Sequence, residues 1–430
     1  LHQSLLHRMF AVAEVKLESA GGQKPEAQMR VLKLADALAL EQAIRTRGRA
    51  SPAGIPPPAP PEASASPPAA TAPMPPRSPG PTTTLDDAHA GSSGRTLLRL
   101  SWADIVRVGL VSNRGMVVIA GAFALSWQVF PERTISRVLR DLAEAGLGYA
   151  GRFNGDWLVT GALAASLVLV ALLLVRLFSI ALALIRYHGF RLDEYGRRLT
   201  VTRGLLTQLR TSVPRRRIQA WTLREGLLHR LLKRRSVEID TASAQDPSNQ
   251  ERGLPELAPI ATPADADALL QHLLDRATWP IPTSQWQALH PRAWLRLLIG
   301  DVVLALLLSA ALCWWFGPPG LLGLAWIACG LLLSRRHAAR AGYSLDDHLV
   351  TVREGWWSRH WRFAELDKLQ ALQLRQSPLD RWSGMASLWL DTAGAGAMAP
   401  SLRIRYLPLA QAQVLLERLQ KEIARRPLRW

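Results

Sequence analysis

Two cysteines in 430 residues, Cys313 and Cys329, are too few for a disulfide framework or a structural zinc site. Both fall inside apolar runs and read as buried thiols. The chain also lacks a glycine-rich phosphate loop, a serine–histidine–acid arrangement and any metal-ligand spacing. An enzyme is therefore not expected, and no cofactor or metal is implied. No charged segment followed by an apolar run opens the chain at Leu1, so no signal peptide is read. Acidic residues are scarce: 34 Asp and Glu against 52 Lys and Arg leave a formal charge of +18. Such a surplus suits nucleic acid or an anionic membrane. Nucleic acid is disfavoured, because the arginine clusters have only Trp221 as an aromatic neighbour and no base-reading set. The membrane is favoured by a hydrophobic content of 48% and sixteen tryptophans.

The apolar residues are concentrated in segments 115–130, 157–185, 295–316 and 318–334. A helix crosses the bilayer core with roughly 20 residues. The stretches "WLVTGALAASLVLVALLLV" (157–175) and "LRLLIGDVVLALLLSAALCWWF" (295–316) suffice alone, and each has a shorter apolar neighbour. The expectation is four spans in two hairpins, at 105–185 and 290–336. Arg95, Arg99, Arg107, Arg114, Arg186, Arg191, Arg292, Arg296, Arg335, Arg336 and Arg340 flank the spans on one side. The opposite loops are 131–156, where charges balance, and an uncharged "GPPG" at 317–320. The positive-inside bias then predicts a multi-pass inner-membrane protein with its remaining parts in the cytoplasm.

One phrase recurs: "HQSLLHRMFAVAEVKLESA" (2–20), "REGLLHRLLKRRSVEIDTA" (224–242) and "RQSPLDRWSGMASLWLDTA" (375–393). The offset that carries Arg224 onto Arg375 also carries Leu199–Gly204 onto Val350–Gly355 and Ile218-Gln219-Ala220 onto Leu369-Gln370-Ala371. Such self-similarity implies copies of one unit. Alternating Leu199 and Val201, and Val237 and Ile239, predict half-buried strands. Asp240-Thr241 and Asp391-Thr392 read as turns, and 246–260 as an irregular loop. A helix closes each copy: 25–45, 262–274 with Thr262 as N-cap and Pro263 in the first turn, and 407–426. The first copy is represented by 1–50 only, read as the C-terminal half of a domain whose first half would lie upstream. It is expected to lean on another domain or be poorly fixed, with a helical turn at 4–10 and a strand or hairpin near 12–20. A Pro/Ala-rich linker follows at 51–95.

The words "RRRIQAWTLREGLLHRLL" and "VEIDTA", each copy following an apolar hairpin, resemble the bacterial pleckstrin-homology (PH) domain of the membrane-flanked type, as in YdbS- and YdbT-like proteins. That resemblance covers 186–280 and 340–426 in full and 1–45 in part. It implies an α+β fold for each soluble unit, PH-like, with two antiparallel sheets plus a C-terminal helix, combined with α-helical transmembrane hairpins. It implies no enzymatic activity. A non-enzymatic scaffold, or a lipid- or protein-binding module at the cytoplasmic face, is the resulting expectation. Its partners would be anionic membrane lipids and a second membrane protein, a related PH-like protein among the candidates.

Two groups of residues are singled out. Arg197, Arg198, Arg215, Arg216 and Arg217, with Lys233, Arg234 and Arg235, form basic clusters special to copy two, and Arg203 and Arg210 lie close by in sequence. The third copy has "AELDKLQ" and "WSGMAS" in their places, so copy two is expected to read anionic headgroups and copy three to bind them poorly. Arg176 and Asp301 are the ionisable residues of the strongest apolar runs, and a transporter or channel subunit built on them is the alternative. His7, His229 and Asp380 share one repeat column and read as local turn acceptors.

Overall fold

The computed structural model describes residues 2–4, 7, 10–17, 27–47, 94–112, 114–129, 137, 157–241, 256–392 and 401–425. The linker expected at 51–95, apart from Gly94 and Arg95, and most of the loop expected at 246–260 lie outside the described residues. Copy two begins with three antiparallel strands, β5 (Arg191–Tyr195), β6 (Arg198–Arg203) and β7 (Gln208–Pro214). A 3-10 turn, Arg215–Arg217, leads to β8 (Ile218–Glu225), a short helix α5 (Leu227–Leu231), β9 (Arg235–Thr241), β10 (Glu256–Ala261) and the helix α6 (Pro263–Leu273). Copy three repeats this order as β12 (Gly342–Leu345), β13 (Leu349–Glu354), β14 (Arg359–Glu365), β15 (Leu369–Arg375), α9 (Pro378–Trp382), β16 (Met385–Thr392), β17 (Arg403–Pro408) and α10 (Leu409–Arg425).

Local chemistry explains the repetition. The β6–β7 and β13–β14 turns each open on a glycine with positive φ, Gly204 at +113° and Gly355 at +81°. A Cβ would meet the carbonyl oxygen of Thr207 at 2.0 Å or of Ser358 at 1.9 Å, so only glycine closes these turns. Thr262 caps α6 by accepting from the Asp265 N–H, with Pro263 in the first turn. Ser377 and Asp380 form a capping box on α9. His229 occupies the Asp380 position in α5, a helix that has no side-chain cap.

The sheets do not stop at the copies. β1 (His2–Gln3), β2 (Val12–Leu17) and β3 (Ala27–Lys33), closed by α1 (Leu34–Arg47), add to the β7 edge through β1. A strand ahead of the first hairpin, β4 (Arg95–Arg99), pairs with β5, giving the order β3-β2-β1-β7-β6-β5-β4. Likewise β11 (Gln287–Ala288) pairs with β12, and β14 pairs with β8, giving β10-β9-β8-β14-β13-β12-β11. The second sheet of one copy thus continues into the first sheet of the next. Cores are shared too. Leu349 and Phe363 of copy three sit in the core of copy two, and Ala220 of copy two sits in that of copy three. β15, β16 and β17 form a separate three-stranded sheet.

Between β4 and β5 run α2 (Trp102–Val111), α3 (Arg114–Val129) and α4 (Trp157–Tyr187). Between β11 and β12 run α7 (Ala293–Phe316) and α8 (Ala325–Arg340), joined by a 3-10 segment. Among the described residues three helical stretches are long and apolar enough to cross a membrane: Val168–Tyr187, Ala293–Trp315 and Pro318–Arg340. The 16-residue α3 is shorter than the usual span.

Four sequence expectations need correction. Residues 27–33 are strand rather than helix, because pairing with β2 outweighs the helical preference of Ala, Gln, Met and Leu. Residues 256–260 are strand β10, held by β9, rather than loop. Asp240-Thr241 and Asp391-Thr392 end strands instead of forming turns. β4 and β11 were not foreseen, since five and two residues carry too little periodicity to register.

At the β8–β14 junction Arg362, only 2% exposed, donates to the Thr222 hydroxyl (2.9 Å) and pairs with buried Asp240. Trp221 stacks on Phe363 at 6.4 Å between centroids, and Lys368 donates to the Arg216 carbonyl. Removing one member of a buried ion pair strands the other charge, at a cost of about 3–5 kcal/mol. Arg362→Ala should lower the unfolding free energy read from urea-dependent tryptophan fluorescence by that amount. Arg362→Met combined with Asp240→Asn should restore most of it.

Candidate membrane-contact site

Three features converge where the hairpins meet the sheets. The first is a buried cluster at the root of hairpin one. Arg114 starts α3, Tyr187 ends α4, Arg203 ends β6 and Glu256 starts β10. The Arg114 guanidinium donates to the Tyr187 hydroxyl (2.7 Å) and pairs with Glu256, which also accepts from the Tyr187 hydroxyl. Arg203 lies 3.7 Å from the same carboxylate, and Arg114, Arg186 and Arg203 pack over the Tyr187 ring at 5.8–5.9 Å. Burial alone would raise the Glu256 pKa, but Arg114, the Tyr187 hydroxyl, Arg186 and Arg203 together hold it below the usual carboxylate range. Membrane helices and sheet are thereby locked to each other.

The second feature is a pair of apolar turns on the membrane side. Leu205 donates its N–H to the Ile185 carbonyl at the end of α4, placing Leu205 and Leu206 beside the span. The equivalent turn of copy three carries Trp356 and Trp357, with Arg336 of α8 packed on Trp356 at 5.0 Å. Leu206 and Trp357 are exposed, and aromatic and aliphatic side chains at this level match a bilayer interface. Helices α5 and α9 add exposed Leu227, Leu231, Leu379 and Trp382. Across the copies, Arg230 of α5 donates to the Trp356 carbonyl.

The third feature is a cleft of about 640 Å³ in copy three, between the start of α7, α9 and the outer face of the three-stranded sheet. Arg296, Arg375, Arg381, Arg403 and Arg405 line it. Arg296 pairs with Asp380 (3.0 Å) and Arg405 with Glu354 (3.1 Å). Burial works against ionised Asp380, but bonds from Ser377 and Arg296 hold its pKa low. Arg375 and Arg403 flank the Trp389 ring at 4.5 and 5.0 Å. No carboxylate pairs with Arg375, Arg381 or Arg403 among the described residues, so the cleft keeps a local positive surplus. Sequence comparison of the clusters missed it, because its five arginines come from four separate elements.

The arginines singled out in copy two are distributed differently. Arg215 bonds Glu194, Asp275 and the carbonyls of His272 and Leu273, so it closes the domain. Arg234 pairs with Asp104 of α2, and Arg235 with Asp267 and Glu225. Arg198, Arg203, Arg210 and Arg217 also have partners. Arg197, Arg216 and Lys233 are exposed. The intramembrane pair is not brought together. Arg176 donates to the carbonyls of Leu110 (3.2 Å) and Ser112 (3.4 Å), with the Ser179 hydroxyl beside it on Gly109 and Ser112, where the end of α2 leaves carbonyls unpaired. Asp301 packs against Gly330, where a Cβ would come within 2.6 Å of its own.

The chain matches the bacterial PH domain family over residues 142–277 and 295–423. It is 24% identical over 213 residues to the UPF0699 transmembrane protein YdbT of Bacillus subtilis (strain 168), a stretch that is 50% of this chain and 43% of that relative. The match therefore spans under half the length of the curated relative. No solved structure matches the chain.

A carboxyl whose folded pKa lies below its unfolded value stabilises the fold above the unfolded value, about 4.3 for Glu. That contribution is lost only as pH falls through the lower, folded value. Thermal unfolding of the full chain should therefore hold through pH 5 and weaken below about pH 4. Glu256→Gln, which removes the carboxylate charge that Arg114 and Arg203 share, should lower Tm at neutral pH and flatten this acid limb.

Proposed function

The chain belongs to the bacterial PH domain family, and from that premise we propose that it is a membrane-anchored, non-enzymatic scaffold. Its PH-like domains would form a continuous array against the cytoplasmic surface of the inner membrane. The observation that carries this reading is the placement of each hairpin between two strands that neighbour each other in one sheet. β4 hydrogen-bonds to β5 and β11 to β12, so both ends of each hairpin must return to one side of the bilayer. An even number of crossings follows for each. The stretch Val168–Tyr187 then needs α3 as its return leg, giving four passes. Arginines flanking the spans on that side support the cytoplasmic assignment.

Anionic headgroups are the proposed ligand of the array. Arg375, Arg381 and Arg403 would receive them in the cleft beside the first turn of α7, with exposed Arg197, Arg216 and Lys233 adding long-range attraction. Copy three would then be the main reader, a change from the expectation set by cluster counting. Tethering supports weak contacts of this kind, because the hairpins hold the domains at high effective concentration near the surface. Arg176 is held by the carbonyls at the end of α2 rather than by Asp301, which leaves the transporter reading without support of its own.

Two measurements test the proposal. In a background lacking Cys313 and Cys329, Arg197→Cys and Asp347→Cys should resist impermeant thiol reagents in intact cells and label after lysis. Labelling before lysis would reverse the topology. For lipid, spin-labelled phosphatidylglycerol should associate with the full chain in preference to phosphatidylcholine, and salt should weaken the preference. Each of Arg375→Ala, Arg381→Ala and Arg403→Ala should remove about 1 kcal/mol of it. No change in the triple variant would refute the cleft as the site.

A further inference from the structure

Among the described residues, the copies differ in one respect that the fold itself does not require. β2 and β3 of copy one reach their neighbour through β1, which pairs with β7, and β8 of copy two pairs with β14. β15 is the counterpart of β8 in copy three, and it pairs with β16 alone. In β8 six of eight residues are buried, whereas in β15 only Leu369 is. Gln370, Ala371, Gln373 and Arg375 are exposed along this edge. Its surroundings are also those of a junction lacking its second half. Asp391 stands where Asp240 receives Arg362, and it is exposed. Leu379 and Trp382 of α9, 45% and 89% exposed, stand where α5 meets the tryptophan turn of the following copy.

An open edge offers backbone N–H and C=O groups to another strand, and natural proteins seldom leave such an edge bare. We propose that β15 receives the third strand of a PH-like domain on a different membrane-anchored polypeptide, antiparallel and in the register that joins β14 to β8. That register would bring the incoming strand alongside Leu372, Gln373 and Leu374, which replace Trp221, Thr222 and Leu223. The incoming turn would lie over Trp382 at the membrane surface. In a second copy of this chain the described third strands, β7 and β14, are already paired, which favours a different polypeptide as the donor. The array would thus continue from one polypeptide into another by the geometry it already uses twice. This inference is independent of the headgroup reading, since no cleft arginine is needed for it.

Photo-crosslinking in native membranes tests it. A benzoylphenylalanine is placed at Gln370 or Gln373 in the full chain, with one at Arg224, half-buried on β8 opposite His360, as an internal control and one at Val414, exposed on α10, as a background position. The Arg224 probe should crosslink within the chain to β14, reporting an intact junction. The Gln370 and Gln373 probes should give an adduct at least about tenfold stronger than Val414, equivalent to 1.4 kcal/mol of preference. Its crosslinked peptide should map to the third strand of a PH-like domain on another protein. Adducts to lipid, to a second copy of this chain, or to a protein without a PH-like domain would overturn the proposal. So would no adduct while the Arg224 control succeeds.

Discussion

Every strand edge exposes a row of unpaired amides and carbonyls, and the architecture follows from how those rows are covered. A PH-like unit of this chain has two sheets, each with an open side. Copy two covers its own by borrowing: β1 closes β7, and β14 closes β8. Because the pairing is between copies, neither full domain is a separate body. Phe363 stacks on Trp221 and touches Trp279 across the boundary, and Arg362 reaches into copy two for Asp240. Stability at one domain is thus tied to the presence of the next.

The same sheets hold the membrane segments. Each hairpin leaves from one strand and returns to its neighbour, so the helices are insertions in a sheet rather than appendages of a domain. A movement of α4 relative to α3 must strain β4 against β5 or break the Arg114–Tyr187–Glu256 cluster. Around hairpin two the equivalent of Arg203 is Glu354, which pairs with Arg405 and His360. The sign of the charge is exchanged while the role, fixing a strand beside the hairpin root, is kept.

Charge alone is a poor guide to ligand sites here. The arginine-rich words of copy two supply both structural and exposed groups: Arg215 caps carbonyls at the end of α6, and Arg235 bonds Asp267 while packing on Trp361. In copy three the arginines are spread singly through strands and a helix, and the three-stranded sheet gathers them into one cleft around Trp389. A guanidinium opposite a carboxylate is largely neutralised, whereas several facing one cavity are not.

The sequence by itself determined the repeat, the PH-like character of the units, the apolar helices and the closing cap at Thr262. Those features depend on residues close together in the chain, where side-chain period and turn chemistry act directly. It also indicated that the N-terminal segment needs a neighbour, because β2 with Val15 buried cannot be stable alone. Only the tertiary structure decided that β4 and β11 belong to sheets, that 27–33 is a strand, and which arginines are spent on ion pairs. It also decided that one copy's sheet runs into the next and stops at β15. Strand pairing joins backbone groups far apart in sequence, and backbone groups are the same in every residue. A partner strand is therefore chosen by long-range geometry, on which local sequence patterns carry almost no information.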